Sequence, residues 1–259
     1  MSRQPDAQNG PETARLSPTA QPINYGWRRR LGMLLPSVNR ASEPEVTAML
    51  PDGVSLHTTR LKFTGSSQHD LLAVTEKVEE GSALLSDAGV DLIVFHCTSV
   101  STFDVNMEAS LKMRIEKATC KPATATSEAL VSAFRTLGAR KIVLITPYIK
   151  AINEREIAFL AHHQINVVRD AGMEIFEGSK MGLPEPEEWY RFALANRHEN
   201  ADAYLLSCTA IRTAPIIAAL ESDLGKPVVT SNQAMVWHCL HKMGIRDPVP
   251  GYGTLLSQF

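Results

Sequence analysis

The sequence predicts an α/β fold in which two homologous halves each contain a parallel sheet, and three observations lead to this prediction. Short β-rich runs alternate with longer amphipathic segments, which is typical of strands connected by helices. Similar motifs also occur twice in the same order. The chain of 259 residues is 44% hydrophobic and 21% charged, a composition typical of a globular protein with a sizeable buried core.

Eight strands are predicted, and helices occupy the intervals between them. The strands cover residues 31–36, 54–61, 91–97, 122–125, 141–146, 165–170, 202–208 and 226–230. In the interval 68–88, apolar residues recur with the helical period, which predicts one long helix. Because strands and helices alternate, we expect open, mostly parallel sheets with helices on both faces.

Four regions are predicted along the chain. Residues 1–26 contain several prolines and glutamines and few hydrophobic residues, so we expect them to form a disordered leader. The first α/β half covers residues 27–137, the second half covers residues 138–245, and residues 246–259 form a C-terminal tail.

Three pairs of segments define the internal repeat. RRLGMLLPS at 29–37 matches RKIVLITPY at 140–148, and VDLIVFHCTS at 90–99 matches ADAYLLSCTA at 201–210, both with an offset of 111 residues. KPATATSEA at 121–129 matches KPVVTSNQA at 226–234 with an offset of 105 residues. Duplicated Rossmann-like halves meet across a pseudo-two-fold axis, which carries equivalent strand ends to opposite sides of one cleft. The sequence therefore predicts an active site between the halves.

Charge and cysteine usage exclude several classes of protein. Lys and Arg number 26 against 28 Asp and Glu, a net charge of −2, without the basic excess of a nucleic-acid or membrane-surface binder. No apolar run approaches the roughly 18 residues that span a bilayer, and the first residues lack a secretory signal. The four cysteines form neither a CxxC pair nor a disulfide framework. This pattern predicts a cytoplasmic protein with free thiols, and it leaves a homo-oligomer open.

Cys97 and Cys208 are the strongest catalytic candidates. Each ends a predicted strand, and ligands of open α/β sheets bind at the carboxyl ends of the strands. The residues that follow the thiols are small or carry hydroxyls: Thr98, Ser99, Thr209 and Ala210. We expect each thiol to precede a helix, whose N-terminal amides bind anions and lower a thiol pKa. The two sulfurs should face each other across one pocket, within about 10 Å, whereas Cys120 and Cys239 are expected to be small buried core residues.

Three further residues follow the first strand of a half and are candidates for substrate binding: Ser37, Asn39 and Tyr148. The Tyr148 phenol is a hydrogen-bond donor for an oxyanion or a carboxylate. Asn39 is suited either to carboxylate binding or to capping a helix or turn.

Neither the histidines nor any nucleotide-binding motif points to a function. His96 precedes Cys97 on a strand, so its side chain points to the opposite face and is not expected to act as the base for that thiol. His238 and His241 lack further ligands nearby, so no metal site is predicted. The sequence has no GxGxxG motif after a strand, no Walker loop and no GxSxG motif.

The duplicated cysteines resemble the aspartate/glutamate racemase superfamily. Within it, the chain is most similar to the branch that contains maleate cis–trans isomerase, arylmalonate decarboxylase and the ectoine-utilisation racemase-like proteins. The matching stretches are GMLLPSVNRASEPE, FHCTSVSTF, ITPYIKAINEREIAFL, SCTAIRTAPIIAALE and PVVTSNQAMVWHCL, and they cover most of residues 31–243.

The resemblance implies roles for individual residues. Cys208 matches the thiol shared by the isomerase and the decarboxylase, and Cys97 matches the cysteine that the decarboxylase replaces with glycine. Carboxylate-stabilising hydroxyls of the decarboxylase match Thr98, Ser99 and Tyr148, and substrate-binding positions of the isomerase match Asn39 and Tyr148. A second substrate-binding asparagine of the isomerase has no counterpart in GLPEPEE at 182–188, which argues against maleate itself as the substrate.

Two opposed thiols support two kinds of chemistry on a small carboxylic acid. One thiolate removes an α-proton while the other thiol returns a proton to the opposite face, or one thiolate adds to an electron-poor double bond and permits rotation. Both need stabilisation of an enolate-like charge and neither needs a metal or an organic cofactor. The leading hypothesis is a cofactor-independent isomerase similar to maleate isomerase, and a racemase is the first alternative.

Three other functions are weaker hypotheses. A decarboxylase needs one thiol and a small residue at position 97. A non-catalytic ligand-binding protein has no need of two thiols in one cleft. A redox protein that forms a disulfide between Cys97 and Cys208 usually carries a CxxC motif, which is missing.

Overall fold

Residues 23–63, 65 and 67–258 are described by a computed structural model, and they form two parallel four-stranded sheets. The first sheet contains β1 (Arg29–Pro36), β2 (Val54–Leu61), β3 (Leu92–Phe95) and β4 (Ala123–Ala125), in the spatial order β2-β1-β3-β4. The second contains β5 (Lys141–Thr146), β6 (Asn166–Gly172), β7 (Ala203–Leu206) and β8 (Val228–Thr230), in the order β6-β5-β7-β8. The predicted α/β class with two parallel sheets is confirmed, and the sheets share one strand order, as the repeat predicts.

The inner strands β1 and β5 are buried over most of their length. The last six residues of β1 and the last five of β5 are buried. Each strand pairs in parallel with a neighbour on both sides. Continuous apolar runs suit such strands, because helices cover both faces of a parallel sheet.

Eleven α-helices lie among the described residues. They are α1 (Ser42–Met49), α2 (Gln68–Ala73), α3 (Val78–Asp87), α4 (Thr98–Ser101), α5 (Met107–Thr119), α6 (Thr126–Thr136), α7 (Lys150–His162), α8 (Pro186–Ala195), α9 (Ile217–Leu224), α10 (Ser231–Lys242) and α11 (Gly253–Gln258). None of these helices is both long enough and apolar enough to cross a membrane.

The prediction of one helix over 68–88 is wrong in detail. The segment contains α2, a 3-10 turn over Val74–Lys77, and α3. The Thr75 hydroxyl donates to the Leu72 carbonyl at 2.8 Å. Such a bond from a side chain to a carbonyl three residues earlier competes with regular α-helical geometry, so the apolar period continues while the helix does not.

An apolar core joins the two halves. Buried side chains of β1, β5, α6 and α10 belong to one cluster, which includes Leu31, Met33, Phe134, Leu144 and Met235. The helices α6 and α10, which follow the last strand of each sheet, pack against each other. Separate apolar clusters fill the other side of each sheet. The halves are therefore joined by a shared core, which holds their strand ends in a fixed relation.

Residues near both ends of the described chain contact the sheets or the shared core. Of the predicted leader, residues 1–22 lie outside the described residues, and the side chain of Asn24 donates to the Val54 carbonyl at 2.8 Å. In the predicted C-terminal tail, Leu255 and Leu256 of α11 are buried in the shared core.

Candidate active site

A small cavity lies where the carboxyl ends of strands from both sheets meet. It is lined by residues that the sequence analysis proposed: Asn39, Cys97, Thr98, Ser99, Tyr148, Cys208, Thr209 and Ala210. The cavity measures about 30 Å³, well below the roughly 300 Å³ at the lower end of small-molecule sites. Both cysteines line this one cavity. In this state, called the closed state, the cavity is too small for a carboxylic acid, so its walls must separate before a substrate can bind.

Cys97 lies at the start of α4 and is almost fully buried. Its sulfur lies 3.8 Å from the Ser99 hydroxyl. Burial raises the pKa of the thiol, although the Val100 amide and the Ser99 hydroxyl act in the opposite direction. The expected lowering of this pKa is wrong for the closed site, because desolvation outweighs one hydroxyl and the amides of a four-residue helix.

Cys208 has different neighbours from Cys97. The Ala210 amide donates to its sulfur at 3.3 Å, and the neighbouring Tyr148 phenol lowers the pKa of the thiol. Burial nevertheless raises the pKa of the thiol to about 12, and the charges of Cys97 and Glu156 act in the same direction. The expectation that a helix directly follows Cys208 is also wrong, because a turn and a short 3-10 helix, Ala214–Ile216, come next.

Tyr148 is a neutral hydrogen-bond donor in this site. Its ring is buried, and burial raises the pKa of the phenol well above its usual value. The nearby Cys208 and Glu156 raise it further. The phenol therefore keeps its proton and can stabilise negative charge on sulfur or on a bound oxyanion.

The two threonines that follow the cysteines have different hydrogen bonds. Thr98 donates its hydroxyl proton to Ser231 at 2.9 Å, and Ser231 also accepts from the Cys208 amide at 3.1 Å. The Thr209 hydroxyl accepts from the Asn39 amide at 3.1 Å. Thr209 thus retains its own proton for a ligand, whereas the Thr98 proton is already used to connect the halves.

Asn39 uses its whole side chain within the protein. Its Oδ1 accepts from the amides of Ala41 and Ser42, each at 3.0 Å. Its Nδ2 donates to the hydroxyls of Ser42 and Thr209 at 3.0 and 3.1 Å. In the closed site this residue forms the turn before α1, the second of its two predicted roles, and a substrate would have to displace one of these bonds to reach it.

Ser37 is the predicted site residue that the structure does not bring into the cavity. Its hydroxyl accepts from the Phe63 amide at 3.1 Å, and it is not part of the cavity wall. Its repeat partner Tyr148 does reach the cavity, because the phenol is long enough to extend from the strand end to Cys208.

Sequence reasoning missed an apolar wall. The cavity is also lined by Pro36, Val38, Phe63, Ile152, Gly178 and Met181. Phe63 of the first half lies directly against Gly178 of the second, where an added Cβ would be 2.3 Å from Cε1 of the ring. Gly178 begins the 3-10 helix Gly178–Lys180, and its lack of a side chain permits this close approach. No Lys, Arg or His lines the cavity among the described residues, so neutral donors would bind a carboxylate there.

The remaining histidine and cysteine expectations have mixed outcomes. The His96 ring is fully buried and contacts the Thr126 hydroxyl and the Asn232 side chain, at 3.0 and 2.8 Å. Burial lowers its pKa to about 4, so the ring is neutral. Cys239 is buried as expected, but Cys120 is exposed, because it ends α5 in a left-handed conformation. Within the described ranges, no group of three or more His, Cys, Asp or Glu residues is placed to hold a metal ion.

Comparison with known families assigns the chain. The model of the arylmalonate decarboxylase family matches residues 31–256. The chain belongs to this family. The matched range contains every residue of the cavity wall and both sheets, apart from the first two residues of β1.

The relatives of this chain include both isomerases and a decarboxylase. The maleate isomerase of Geobacillus stearothermophilus is 28% identical over 243 residues, which cover 88% of this chain and 97% of that protein. The arylmalonate decarboxylase of Bordetella bronchiseptica is 27% identical over 232 residues, covering 88% of this chain and 96% of that protein. A structure of the Nocardia farcinica maleate cis–trans isomerase superposes with a TM-score of 0.84 at 22% identity, covering 89% and 99% of the two chains. That structure is of a cysteine-to-serine mutant with a covalently bound succinylcysteine intermediate.

Proposed function

We propose that this family member is a cofactor-independent isomerase of a small carboxylic acid, with a maleate cis–trans isomerase-like reaction. The observation that carries the proposal is the presence of two cysteines, Cys97 and Cys208, in one small cavity. Similarity to the maleate isomerases over most of the chain supports it. The four cysteines are free thiols, which supports a cytoplasmic location.

The different surroundings of the two thiols suggest a division of labour. Cys97 acts as the nucleophile, because the Ser99 hydroxyl and the Val100 amide stabilise its thiolate. Cys208 acts as the proton donor, because burial and the neighbouring charges of Cys97 and Glu156 favour its protonated form. A covalent cysteine intermediate in the Nocardia farcinica isomerase supports addition of a thiolate to the double bond.

The proposed reaction begins with thiolate addition to a cis-alkene acid. A C–S bond forms between Cys97 and one alkene carbon, and the π pair moves to the other alkene carbon beside its carboxylate. The Cys208 thiol then gives its proton to that carbon, which leaves a single C–C bond that rotates. Removal of a proton by the Cys208 thiolate breaks the C–S bond, so the trans acid leaves and both sulfurs return to their first state.

Neutral donors stabilise the enolate-like charge in this scheme. The Tyr148 phenol keeps its proton beside Cys208. The Thr209 hydroxyl accepts from Asn39 and keeps its own proton for a ligand. Preorganised donors of this kind in a site without water are usually the largest contribution to catalysis. The chemistry uses only groups of the chain, so activity should survive chelation by EDTA and be lost on treatment with iodoacetamide.

A racemase is the second candidate, because the same two thiols could exchange an α-proton between opposite faces of a saturated acid. Decarboxylation is a third reaction to test, because the chain belongs to the arylmalonate decarboxylase family and is similar to the decarboxylase of Bordetella bronchiseptica. The cysteine at position 97 disfavours it, since the resemblance places a glycine there in the decarboxylase.

One experiment separates these reactions. The wild-type protein and Cys208→Ser are incubated with maleate and methyl-substituted maleates, and with saturated α-amino acids and arylmalonates in D2O. We expect trans products by NMR from the wild type, and a mass increase of one substrate molecule on Cys97 in Cys208→Ser. Deuterium in saturated acids without any cysteine adduct would instead identify a racemase, and release of CO2 from malonates would identify a decarboxylase.

A further inference from the structure

A buried polar network lies behind the cavity and connects its two cysteine loops. Its centre is Asn232, the second residue of α10 in the second half. This side chain contacts Glu45 and His96 of the first half at 2.6 and 2.8 Å. All three residues are buried, and none of them lines the cavity.

Glu45 holds the second half through the loop that follows Cys208. Its Oε1 accepts from the amides of Thr213 and Ala214, at 2.6 and 2.9 Å. Its Oε2 accepts from Nδ2 of Asn232 at 2.6 Å. A carboxylate on α1 therefore satisfies three donors of the other half, and charge-assisted bonds of this kind are stronger than neutral ones.

The direction of each hydrogen bond follows from this contact. A carboxylate only accepts, so the amide nitrogen of Asn232 faces Glu45 and its oxygen faces His96. The ring Nε2 of neutral His96 must then carry the proton, and Nδ1 accepts from the Thr126 hydroxyl. Because His96 directly precedes Cys97, this chain of bonds holds the Cys97 strand end.

The same helix turn also reaches the Cys208 loop. Ser231, the neighbour of Asn232, accepts from the Cys208 amide and from the Thr98 hydroxyl, at 3.1 and 2.9 Å. The first turn of α10 is thus bonded to residues on both sides of the cavity. It determines how far apart the two cysteine loops lie.

The repeat shows that this arrangement is present on one side of the fold. Glu156 has the same repeat position as Glu45, 111 residues later. Its Oε1 accepts from Ser207, the repeat partner of His96, and its Oε2 has no hydrogen-bond partner. Glu156 stays within its own half, so of the two glutamates only Glu45 bonds across the halves.

We propose that Asn232 is a positioning residue which, through its hydrogen bonds to Glu45 and His96, sets the separation of Cys97 and Cys208 that catalysis requires. The residue acts through its neighbours, since it does not touch the cavity. Displacement of a reacting group by 1 Å can cost about 10²-fold in rate. Loss of the network should therefore lower kcat and leave KM nearly unchanged.

The test exchanges the donor and the acceptor. With Asn232 in its wild-type orientation, Glu45→Gln alone brings two amide NH2 groups together, and Asn232→Asp alone brings two carboxylates together. The double variant Glu45→Gln/Asn232→Asp restores one donor facing one acceptor, keeps the net charge, and leaves a carboxylate oxygen to accept from His96. The matched control is Glu221→Gln, because Glu221 also accepts from two backbone amides, those of Val228 and Thr254, but lies away from the cavity.

We expect each single variant to lose at least about 10²-fold in kcat with a KM within about threefold of wild type, and the double variant to recover at least about tenfold. Glu221→Gln should keep its kcat. Single variants with kcat within about threefold of wild type, or a double variant no better than the poorer single one, would overturn the proposal.

A second measurement does not depend on the proposed function. Iodoacetamide alkylation of Cys97 and Cys208, followed by mass spectrometry in dilute buffer, reports on the closed cavity directly. Both cysteines should react at least about tenfold faster in each single variant than in the wild type, with the rate restored in the double variant. If the wild type isomerises no acid, the proposed function fails, while unchanged alkylation rates in the single variants would sink the positioning role itself.

Discussion

The phenol of Tyr148 lies beside the sulfur of Cys208 and lowers the pKa of that thiol. Its repeat partner Ser37 makes no such contact with Cys97, because its hydroxyl accepts from the Phe63 amide. The duplicated sequence has therefore produced two thiols with unequal partners. This inequality gives the two cysteines different chemistry in the proposed reaction.

Replacing Tyr148 by Phe removes the donor at Cys208 and keeps the ring. We expect turnover to fall by about 10- to 10²-fold, because one preorganised donor to developing negative charge is lost. Steady-state kinetics would measure the loss, with Tyr190→Phe as the control, since Tyr190 is bonded to Asp223 at the surface. Equal turnover of Tyr148→Phe and wild type would contradict a role for the phenol in catalysis.

Replacement of the four cysteines by serine should show two different effects on turnover. Cys97→Ser and Cys208→Ser should each lose at least about 10²-fold in turnover, because each removes a nucleophile or a proton donor. Cys120→Ser and Cys239→Ser are controls that should keep most of the activity, since neither residue lines the cavity. Circular dichroism would check that all four variants fold. Wild-type rates for both cavity variants would mean that the resemblance extends only to the fold.

Activity should increase with pH above neutrality. Burial raises the pKa of both cavity thiols, that of Cys208 to about 12, so the thiolate needed for attack is scarce at neutral pH. Raising the pH between about 7 and 9 increases the thiolate fraction, and kcat/KM should rise with it. A rate profile in buffers of constant ionic strength would measure this. A profile that falls over this range would show that the free enzyme does not react through a thiolate.

Glu156→Gln should stabilise the protein at alkaline pH. Burial raises the pKa of Glu156 to about 7, so the folded state holds this proton more tightly than the unfolded chain does. The wild type therefore loses stability as the pH rises from the ordinary glutamate pKa through 7, by about 3 kcal/mol. Glutamine cannot ionise and avoids this loss.

Urea unfolding at pH 5 and pH 8 checks that effect. The free energy of unfolding of Glu156→Gln, relative to that of the wild type, should be larger at pH 8 than at pH 5 by about 2 to 3 kcal/mol, because the variant is the more stable protein at pH 8. Glu154→Gln, an exposed residue of the same helix, should show no such difference. The same result for both variants would contradict a raised pKa for Glu156.

Phe63→Ala should enlarge the cavity and widen the range of acids accepted. The ring closes the wall against Gly178, and its removal leaves space for a bulky apolar substituent. We expect kcat/KM for phenyl-substituted acids to rise relative to that for maleate by about tenfold. Phe176→Ala, at an exposed phenylalanine, is the control.

A double-variant comparison tests the contact between Phe63 and Gly178. Gly178→Ala should destabilise the protein, because the new methyl would overlap the Phe63 ring. The same change in a Phe63→Ala background should be tolerated. Thermal unfolding of the three proteins would measure this, and equal losses in both backgrounds would show that Phe63 is not the obstacle.

The sequence by itself determined the fold class, the strand positions and the placement of both thiols. Strands and helices differ in the local period of their apolar residues, and the carboxyl end of a strand is defined by where that strand stops. The repeat then placed Cys97 and Cys208 at equivalent ends, and the structure brings both to one cavity. Each of these inferences used residues that are close together in the chain.

The tertiary structure alone decided the electrostatics and the partners of the site. The raised thiol pKa values depend on desolvation by surrounding elements, which a single strand end does not reveal. The contacts of Phe63 with Gly178 and of Asn232 with Glu45 join residues more than 100 positions apart. Such contacts depend on how the two halves pack against each other, because the shared core sets the distance between their strand ends.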